Sequence, residues 1–344
     1  MTIKENISLK DHTTFKIGGN ARFFTIVSSE DELLEAIGFS KKHKVPFFIL
    51  GGGSNILVPD AGFPGVVIKM QLKGIEYTDS EDGKKTIAKV AAGENWDAFV
   101  ADTVARGLYG VENLSSIPGT VGAAPVQNIG AYGTEVKNTI QSVYALDLKK
   151  DEFVTLSNTE CRFDYRDSLF KHEKGRYIIV SVNFSLSREK NLNYSYKDLT
   201  EYFTRKHIGK PTLAQVRDAV VEIRKGKFPD LTHTGTAGSF FKNPVVSVKK
   251  AQELVSQYPE MIVYAVNSKF SKIPLAWILD HVCGFKGIKK GNVGVYKNQA
   301  LVLVNNGGAT ATEVIALAQE MLENVYEKTG IEIEPEVEYV EVGE

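Results

Sequence analysis

Apolar positions along the chain follow two periods. Over 21–27 and 45–50 they run in short blocks suited to strands, and between them Leu33, Leu34 and Ile37 recur at helical spacing from about Glu30. Ser29 followed by Glu32 has the spacing of a capping box, so the opening unit reads as β-α-β. Further strands are predicted over 66–70, 86–91, 144–148, 153–156 and 177–186, the last almost continuous in β-branched and aromatic residues. A helix over 96–106 has Asn95 as its cap and Gly107 as its stop. Another, over 213–225, opens with a Thr212/Gln215 box and stops at Gly226. Beyond it the pattern predicts helices near 249–256 and over 274–282, a strand over 300–305, and a long helix over 311–328. The long helix is the most clearly marked. Val314, Leu317, Ala318, Met321, Leu322 and Val325 share one face between a Thr310/Glu313 box and Gly330.

Together these elements describe an α+β chain. Phe228 to Thr236, with Pro229, Asp230 and Gly235, is the expected boundary between a domain of 1–228, in two α/β subdomains split near 66–70, and a smaller α/β domain of 229–330, followed by a segment of 331–344. A formal net charge of -1 supplies no broad positive field, so nucleic acid is not an expected partner. Cys161 and Cys283 lie outside any paired-cysteine spacing, and six histidines are scattered without metal-binding spacing, so neither a disulfide framework nor a metal site is expected. Residues 1–10 contain no hydrophobic segment, and no apolar run approaches the roughly 20 residues that span a membrane. A cytoplasmic chain with no membrane partner is expected.

Two loops are unusual. After Leu50 the chain reads Gly51, Gly52, Gly53, Ser54, Asn55, then resumes as a strand-like run stopped by Pro59. A dinucleotide fingerprint opens into a helix, which this loop does not do, so it is not a Rossmann turn. Its glycines can turn several N–H groups toward one point, as a diphosphate requires; a plain tight turn is an equal reading of the loop alone. The second loop, 115–133, is nearly half Gly and Ala and contains two prolines. It lets main chain approach a large flat ligand, and the presence of two such loops favours that reading over a close-packed turn.

Ile49 to Asn55, Ile117 to Gly119 with Pro125 to Gly133, and Cys161-Arg162-Phe163-Asp164-Tyr165-Arg166-Asp167-Ser168 together resemble the FAD domain of the UDP-N-acetylenolpyruvoylglucosamine reductases, a domain of the p-cresol methylhydroxylase type. The resemblance continues through Gly235 to Pro244 and ends at Glu334-Pro335-Glu336-Val337, in order over nearly the whole chain. It implies an α+β protein with that FAD-binding domain and a smaller α/β substrate-binding domain, in peptidoglycan precursor synthesis. A monomer is expected, although no residue pattern fixes the oligomeric state. The resemblance further implies non-covalent FAD held by Gly51, Gly52, Gly53, Ser54, Asn55, Ser116, Ile117, Pro118, Gly119, Gly122, Ala123, Ile129, Gly130 and Tyr132. NADPH would charge the flavin, and hydride would pass to the enolpyruvyl double bond of UDP-GlcNAc-enolpyruvate, giving UDP-N-acetylmuramate.

Hydride addition beside a carboxylate leaves an enolate-like centre that must be stabilised and then protonated. The resemblance assigns these tasks to Arg166 and Glu336 for stabilisation and Ser239 for protonation. Lys242, three residues beyond Ser239, is expected from its position alone to lower the serine's pKa. From local pattern alone, Arg166 beside Asp167 reads as a surface ion pair, Ser239 as a turn serine and Glu336 as the solvated face of an edge strand. Substrate contacts carry over to Tyr165, Tyr196, Lys227, Asn243 and Gln299, with Tyr196 on a loop that covers the substrate in the longer of the family's two forms. Other readings of the chain are a flavin oxidase or dehydrogenase of the same fold with another substrate, and a nucleotide-sugar binding protein without catalysis.

Overall fold

The computed structural model describes residues 1–341. The chain divides into two compact units: Met1–Ile7, Arg22–Gly52 and Pro64–Lys225 form the first, and Ser8–Ala21, Gly53–Phe63 and the chain from Gly226 onward form the second. A linear division near 228 leaves the two N-terminal excursions, Ser8–Ala21 and Gly53–Phe63, with the first domain; they pack with the C-terminal part of the chain.

Two sheets build most of the first unit. One places its strands in the order Lys4–Ser8, Asn20–Val27, Phe63–Met70, Phe47–Leu50. The predicted β-α-β unit is therefore not a pair of neighbours: Phe63–Met70 lies between its two strands and pairs in parallel with the second, Phe47 opposite Val66. The helix between them, Glu30–His43, starts as predicted at Ser29, whose side chain accepts from Glu32 N at 3.2 Å. Glu32 reaches one residue further back than a capping box does, accepting from Ser28 N at 2.7 Å.

The second sheet is antiparallel, in the order Glu152–Ser157, Ile140–Asp147, Tyr177–Ser187, Lys85–Ala91, Ile75–Asp79. Tyr177–Ser187 is central, which explains its run of apolar residues. Trp96, Phe99 and Phe184 are almost wholly buried together, at ring separations of 4.9 to 5.9 Å, where the helix Trp96–Ala105 packs on this sheet. One continuous core takes in side chains from both sheets. A separate small core, Tyr132, Leu199, Tyr202, Phe203, Val216, Ala219 and Val220, joins the helices Lys197–Arg205 and Leu213–Lys227. The first of these is absent from the sequence reading, although Leu199, Tyr202 and Phe203 stand at helical spacing; it is short, polar and has no side-chain cap. The second passes the predicted stop at Gly226 and ends at Lys227, two residues before Pro229.

In the second unit the helix Ala311–Thr329 has the predicted reciprocal cap and ends at Gly330 with φ of 63°. Val314, Leu317, Ala318, Met321 and Val325 bury against a core with Phe240, Phe241, Leu275 and Leu279. The predicted helix over 274–282 is a single α-turn, Leu275–Trp277, that continues as a π-turn over Ile278–Val282. Of the predicted strand over 300–305 only Leu303–Asn305 is extended, because Tyr296 N closes a turn on Val302 O at 2.8 Å. Thr310→Ala is expected to lower unfolding stability by about 1 kcal/mol in chemical denaturation, since it removes an N-cap whose partner N–H would be left unsatisfied.

Candidate active site

In the first unit the two glycine-rich segments meet main chain to main chain. A Cβ on Gly52 would lie 2.6 Å from Gly119 Cα, and one on Gly51 2.7 Å from Thr120 Oγ1. Only glycine permits this approach. The half-buried Lys69 donates to Gly51 O at 2.5 Å, and burial pushes its ammonium below the ordinary lysine value.

The 115–133 loop is shaped by left-handed residues: Ser116 at φ 59°, Gly119 at 132°, Asn128 at 46° and Tyr132 at 47°. It is stitched to the 161–168 segment by three hydrogen bonds. Asn128, fully buried, donates to Asp164 O at 2.8 Å, Ser168 Oγ donates to Val126 O at 2.5 Å, and Arg166 Nη2 donates to Gly130 O at 2.7 Å. Asp164 and Asp167 exchange backbone bonds of 3.0 and 3.1 Å, which sets Tyr165 and Arg166 at the tip of a tight turn. Arg166 takes φ of 54° there, a conformation rare for a side chain of its size. The Asp167 carboxylate lies 2.6 Å from His172 Nε2.

Asp97, Arg217 and Arg224 support the same loop, and the sequence reading singled out none of them. Asp97 accepts a two-pronged contact from Arg217 at 2.7 and 3.0 Å and the Ser116 N–H at 2.5 Å. Burial alone would raise its carboxyl; the bonds from Arg217 and Ser116 outweigh it and hold the group below the ordinary carboxylate range. Arg224 donates to Ser116 O at 3.1 Å, and burial lowers its guanidinium from the usual value. Burial also pushes the nearby Tyr132 hydroxyl up to about 12. At an ordinary helix start such as 96–106, an aspartate reads as a complement to the helix dipole, so nothing in the sequence marked Asp97 as a loop anchor.

Tyr196 precedes the helix Lys197–Arg205 and is 44% exposed, with its ring edge-on to Tyr132 at 5.5 Å and 86°. Behind this segment lies an open cavity of about 720 Å³, bordered by Leu192, Asn193, Tyr194, Phe203 and His207 among others.

In the second unit Ser239 and Glu336 lie on two segments that run antiparallel. Phe241 bridges Pro335, Glu336 N donates to Phe240 O at 2.7 Å, and Lys242 N donates to Glu334 O at 3.0 Å. Asn55 joins the same seam: its Nδ2 donates to Glu336 O at 3.0 Å, and its own O accepts from Glu338 N at 3.0 Å. Ser239 and Glu336 are both half-buried. Ser239 follows Gly238, at φ 81°, and bridges Val302. Lys242, expected to bias the Ser239 hydroxyl, has its ammonium 3.0 Å from Glu334 Oε2. Gly53, at φ 65°, is held by Thr14 N on its carbonyl at 3.0 Å, and a Cβ there would lie 2.2 Å from His12 O. Asn243 Oδ1 accepts the Leu275 N–H at 3.0 Å, tying it to the start of the Leu275–Trp277 turn, and Gln299 Oε1 accepts from Leu301 N at 3.3 Å, bracing its own turn. Lys227 is the last residue of its helix and half-buried. Among the described residues no cluster of His, Cys, Asp and Glu could hold a metal, and no helix is long and apolar enough to cross a membrane.

The family model described as an FAD binding domain matches residues 21–157, which defines the class: an FAD-dependent oxidoreductase. A second model, described as the C-terminal domain of UDP-N-acetylenolpyruvoylglucosamine reductase, matches residues 230–340. A protein of that name from Chromobacterium violaceum is 43% identical over 338 residues, 98% of each chain. Another from Flavobacterium johnsoniae is 42% identical over 342 residues, covering 99% of this chain and 100% of the relative. The crystal structure of the reductase from Thermus caldophilus aligns over 99% of this chain and 100% of its own with a TM-score of 0.68 at 25% identity. The chain belongs to the UDP-N-acetylenolpyruvoylglucosamine reductase family. The expected fold class, an FAD-binding domain of this type with a smaller second domain, is borne out.

The first unit's residues fit FAD. Ser116, Ile117, Pro118, Gly119, Ala123 and Gly130 keep main chain and small side chains accessible, while Val121, Ala124 and Ile129 bury beneath them. Lys69 and Arg224 add two positive charges beside that strip, suited to a diphosphate. Gly52→Ala is expected to yield protein that folds but loses most of its FAD on gel filtration, read from the 450 nm region of the absorbance spectrum. Asp97 adds a pH signature. Its carboxyl is lowered in the folded state, so its contribution to stability is complete above the unfolded value of about 4 and is lost as pH falls through the lower folded value. Between pH 5 and 3 the melting temperature of Asp97→Asn should fall less steeply than that of the parent protein.

Proposed function

We propose that this protein reduces the enolpyruvyl group of UDP-GlcNAc-enolpyruvate with NADPH, through bound FAD, to give UDP-N-acetylmuramate. The observation that carries this reading is the 43% identity over 98% of both chains to a relative bearing the reductase's name. The reaction belongs to peptidoglycan precursor synthesis in the cytoplasm, and through it to cell-wall biogenesis, cell shape and division. The protein acts as a monomer.

FAD, held by the glycine-rich segments of the first unit, would supply the hydride chemistry that links NADPH to the substrate's terminal carbon. The work of this chain's own residues surrounds that transfer. Arg166 engages the substrate carboxylate, for which a guanidinium that stays protonated and offers paired donors is suited. Its hydrogen bond to Gly130 O and its constrained turn support the role, because a fixed guanidinium loses less freedom when it binds. Glu336 shares with Arg166 the stabilisation of the enolate as charge develops there. Ser239 Oγ delivers the proton to the carboxylate-bearing carbon. The antiparallel seam of 239–242 with 334–337 supports that pairing of roles, since it sets one segment's register against the other's. Tyr165, Tyr196, Lys227, Asn243 and Gln299 bind the UDP-sugar.

An anaerobic spectral titration tests the reading. Flavin bands should bleach with NADPH and return only when UDP-GlcNAc-enolpyruvate is added; bands that ignore the sugar would defeat it. Ser239→Ala should retain the bleaching and slow the return by roughly 10²- to 10⁴-fold, the usual cost of losing a proton donor.

A further inference from the structure

Asn113 sits in a short turn, Glu112–Leu114, and is 1% exposed. Its amide nitrogen donates to two carbonyls on segments far apart in the chain: Tyr132 O at 2.9 Å, in the 115–133 loop, and Asn193 O at 2.7 Å, just before Tyr196. Asn193 returns the contact, its Nδ2 donating to Gly133 O at 3.2 Å. Within the segment, Asn193 Oδ1 also accepts from Ser195 Oγ at 2.9 Å, and Thr200 Oγ1 donates to Tyr194 O at 3.2 Å.

Two features separate Asn113 from a residue that merely fills space. Its Oδ1 is buried with no hydrogen-bond partner. A leucine of similar size would avoid that cost, so what the asparagine adds at this position is its pair of donors. The orientation of the amide is also determined, because a flipped amide would turn its oxygen toward two carbonyls. The segment it holds borders an open cavity of about 720 Å³ along Leu192 to Ser195, and Asn193 is itself exposed. Packing of Tyr194 on Phe203 and of Tyr196 on Tyr132 orients the rings, while the Asn113 amide fixes the backbone between the segment and the loop.

We propose that Asn113 is a positioning residue that latches the Tyr196 segment to the 115–133 loop and so sets the affinity for the UDP-sugar. The inference rests on the functional reading above, in which Tyr196 touches the substrate. Both donors of one buried amide fix the backbone on either side of the Tyr132–Tyr196 ring contact. Asn113 reaches substrate only through Tyr196, so losing the latch weakens binding and leaves the chemical step nearly intact.

A double-mutant cycle with the FAD-loaded enzyme, NADPH and UDP-GlcNAc-enolpyruvate tests this. Asn113→Asp keeps the volume and sets an oxygen against both carbonyls. Assayed with saturating FAD, it should raise the KM for the sugar by about tenfold, the scale of one coupled interaction, with kcat per bound flavin within about threefold of the parent. In a Tyr196→Phe background the same change should raise KM no further. Asn193→Ala, at an exposed position, should raise KM less and show the same loss of effect with Tyr196→Phe; it carries the test alone if Asn113→Asp does not fold. An unchanged KM, a KM rise that adds fully to that of Tyr196→Phe, or a fall in kcat at constant KM overturns the latch. A parent enzyme that binds FAD but does not turn over the sugar sinks the reductase reading and the latch with it, whereas turnover with any of the preceding outcomes sinks the latch alone.

Discussion

The first unit depends on how the carbonyls of one loop are satisfied. A segment rich in glycine and alanine buries little apolar surface of its own, and its curvature keeps most of its carbonyls out of any regular ladder. Turns within the loop satisfy some, such as Thr120 O, Ala124 O and Pro125 O; the others must find a donor elsewhere or face water. Here the donors come from five residues on four segments: Arg224 to Ser116 O, Ser168 to Val126 O, Arg166 to Gly130 O, Asn113 to Tyr132 O and Asn193 to Gly133 O. The loop is rigid because surrounding elements hold it, which leaves its outer strip of small side chains and main chain available to a cofactor.

Charge is arranged around the same loop. Asp97 balances Arg217 and, at longer range, Arg224, so the half-buried guanidiniums beside Ser116 are held without a fully exposed counter-charge. Removing one member would leave its partner uncompensated in a poorly solvated position, which costs more than the pair contributes while intact. Arg166 stands near this group, and Arg224 feels its charge. A concentration of positive charge held by main-chain acceptors suits the recognition of anionic groups and makes Arg166 a better fit to a carboxylate than its sequence neighbour Asp167 suggests.

The second unit solves a similar problem by a different route. Its seam draws on Asn55, on 239–242 and on 334–338, three stretches hundreds of residues apart in part, and backbone pairing sets their register. Ser239 and Glu336 owe their half-buried placement to that pairing. A glutamate in an alternating segment near a chain end would otherwise be solvated, and the parallel pairing of Glu338–Tyr339 with Ile56–Leu57 is what keeps the segment from being an isolated edge.

Much was legible in the residues alone. Helices with reciprocal caps and a clear apolar face, above all Ala311–Thr329, were placed nearly to the residue, because caps and periodicity act within a few positions of themselves. The glycine loops and the motif segments marked where a flavin-binding family's residues stand, and 43% identity to a named relative supports that family. What the tertiary structure alone decided was everything set by partners distant in the chain. It inserted Phe63–Met70 between the strands of the opening β-α-β, drew Ser8–Ala21 and Gly53–Phe63 into the C-terminal unit, and moved Lys242 onto Glu334. It also gave Asp97, Lys69 and Asn113 their tasks, since a side chain's local sequence cannot reveal which remote carbonyl or charge it will meet once the chain is packed.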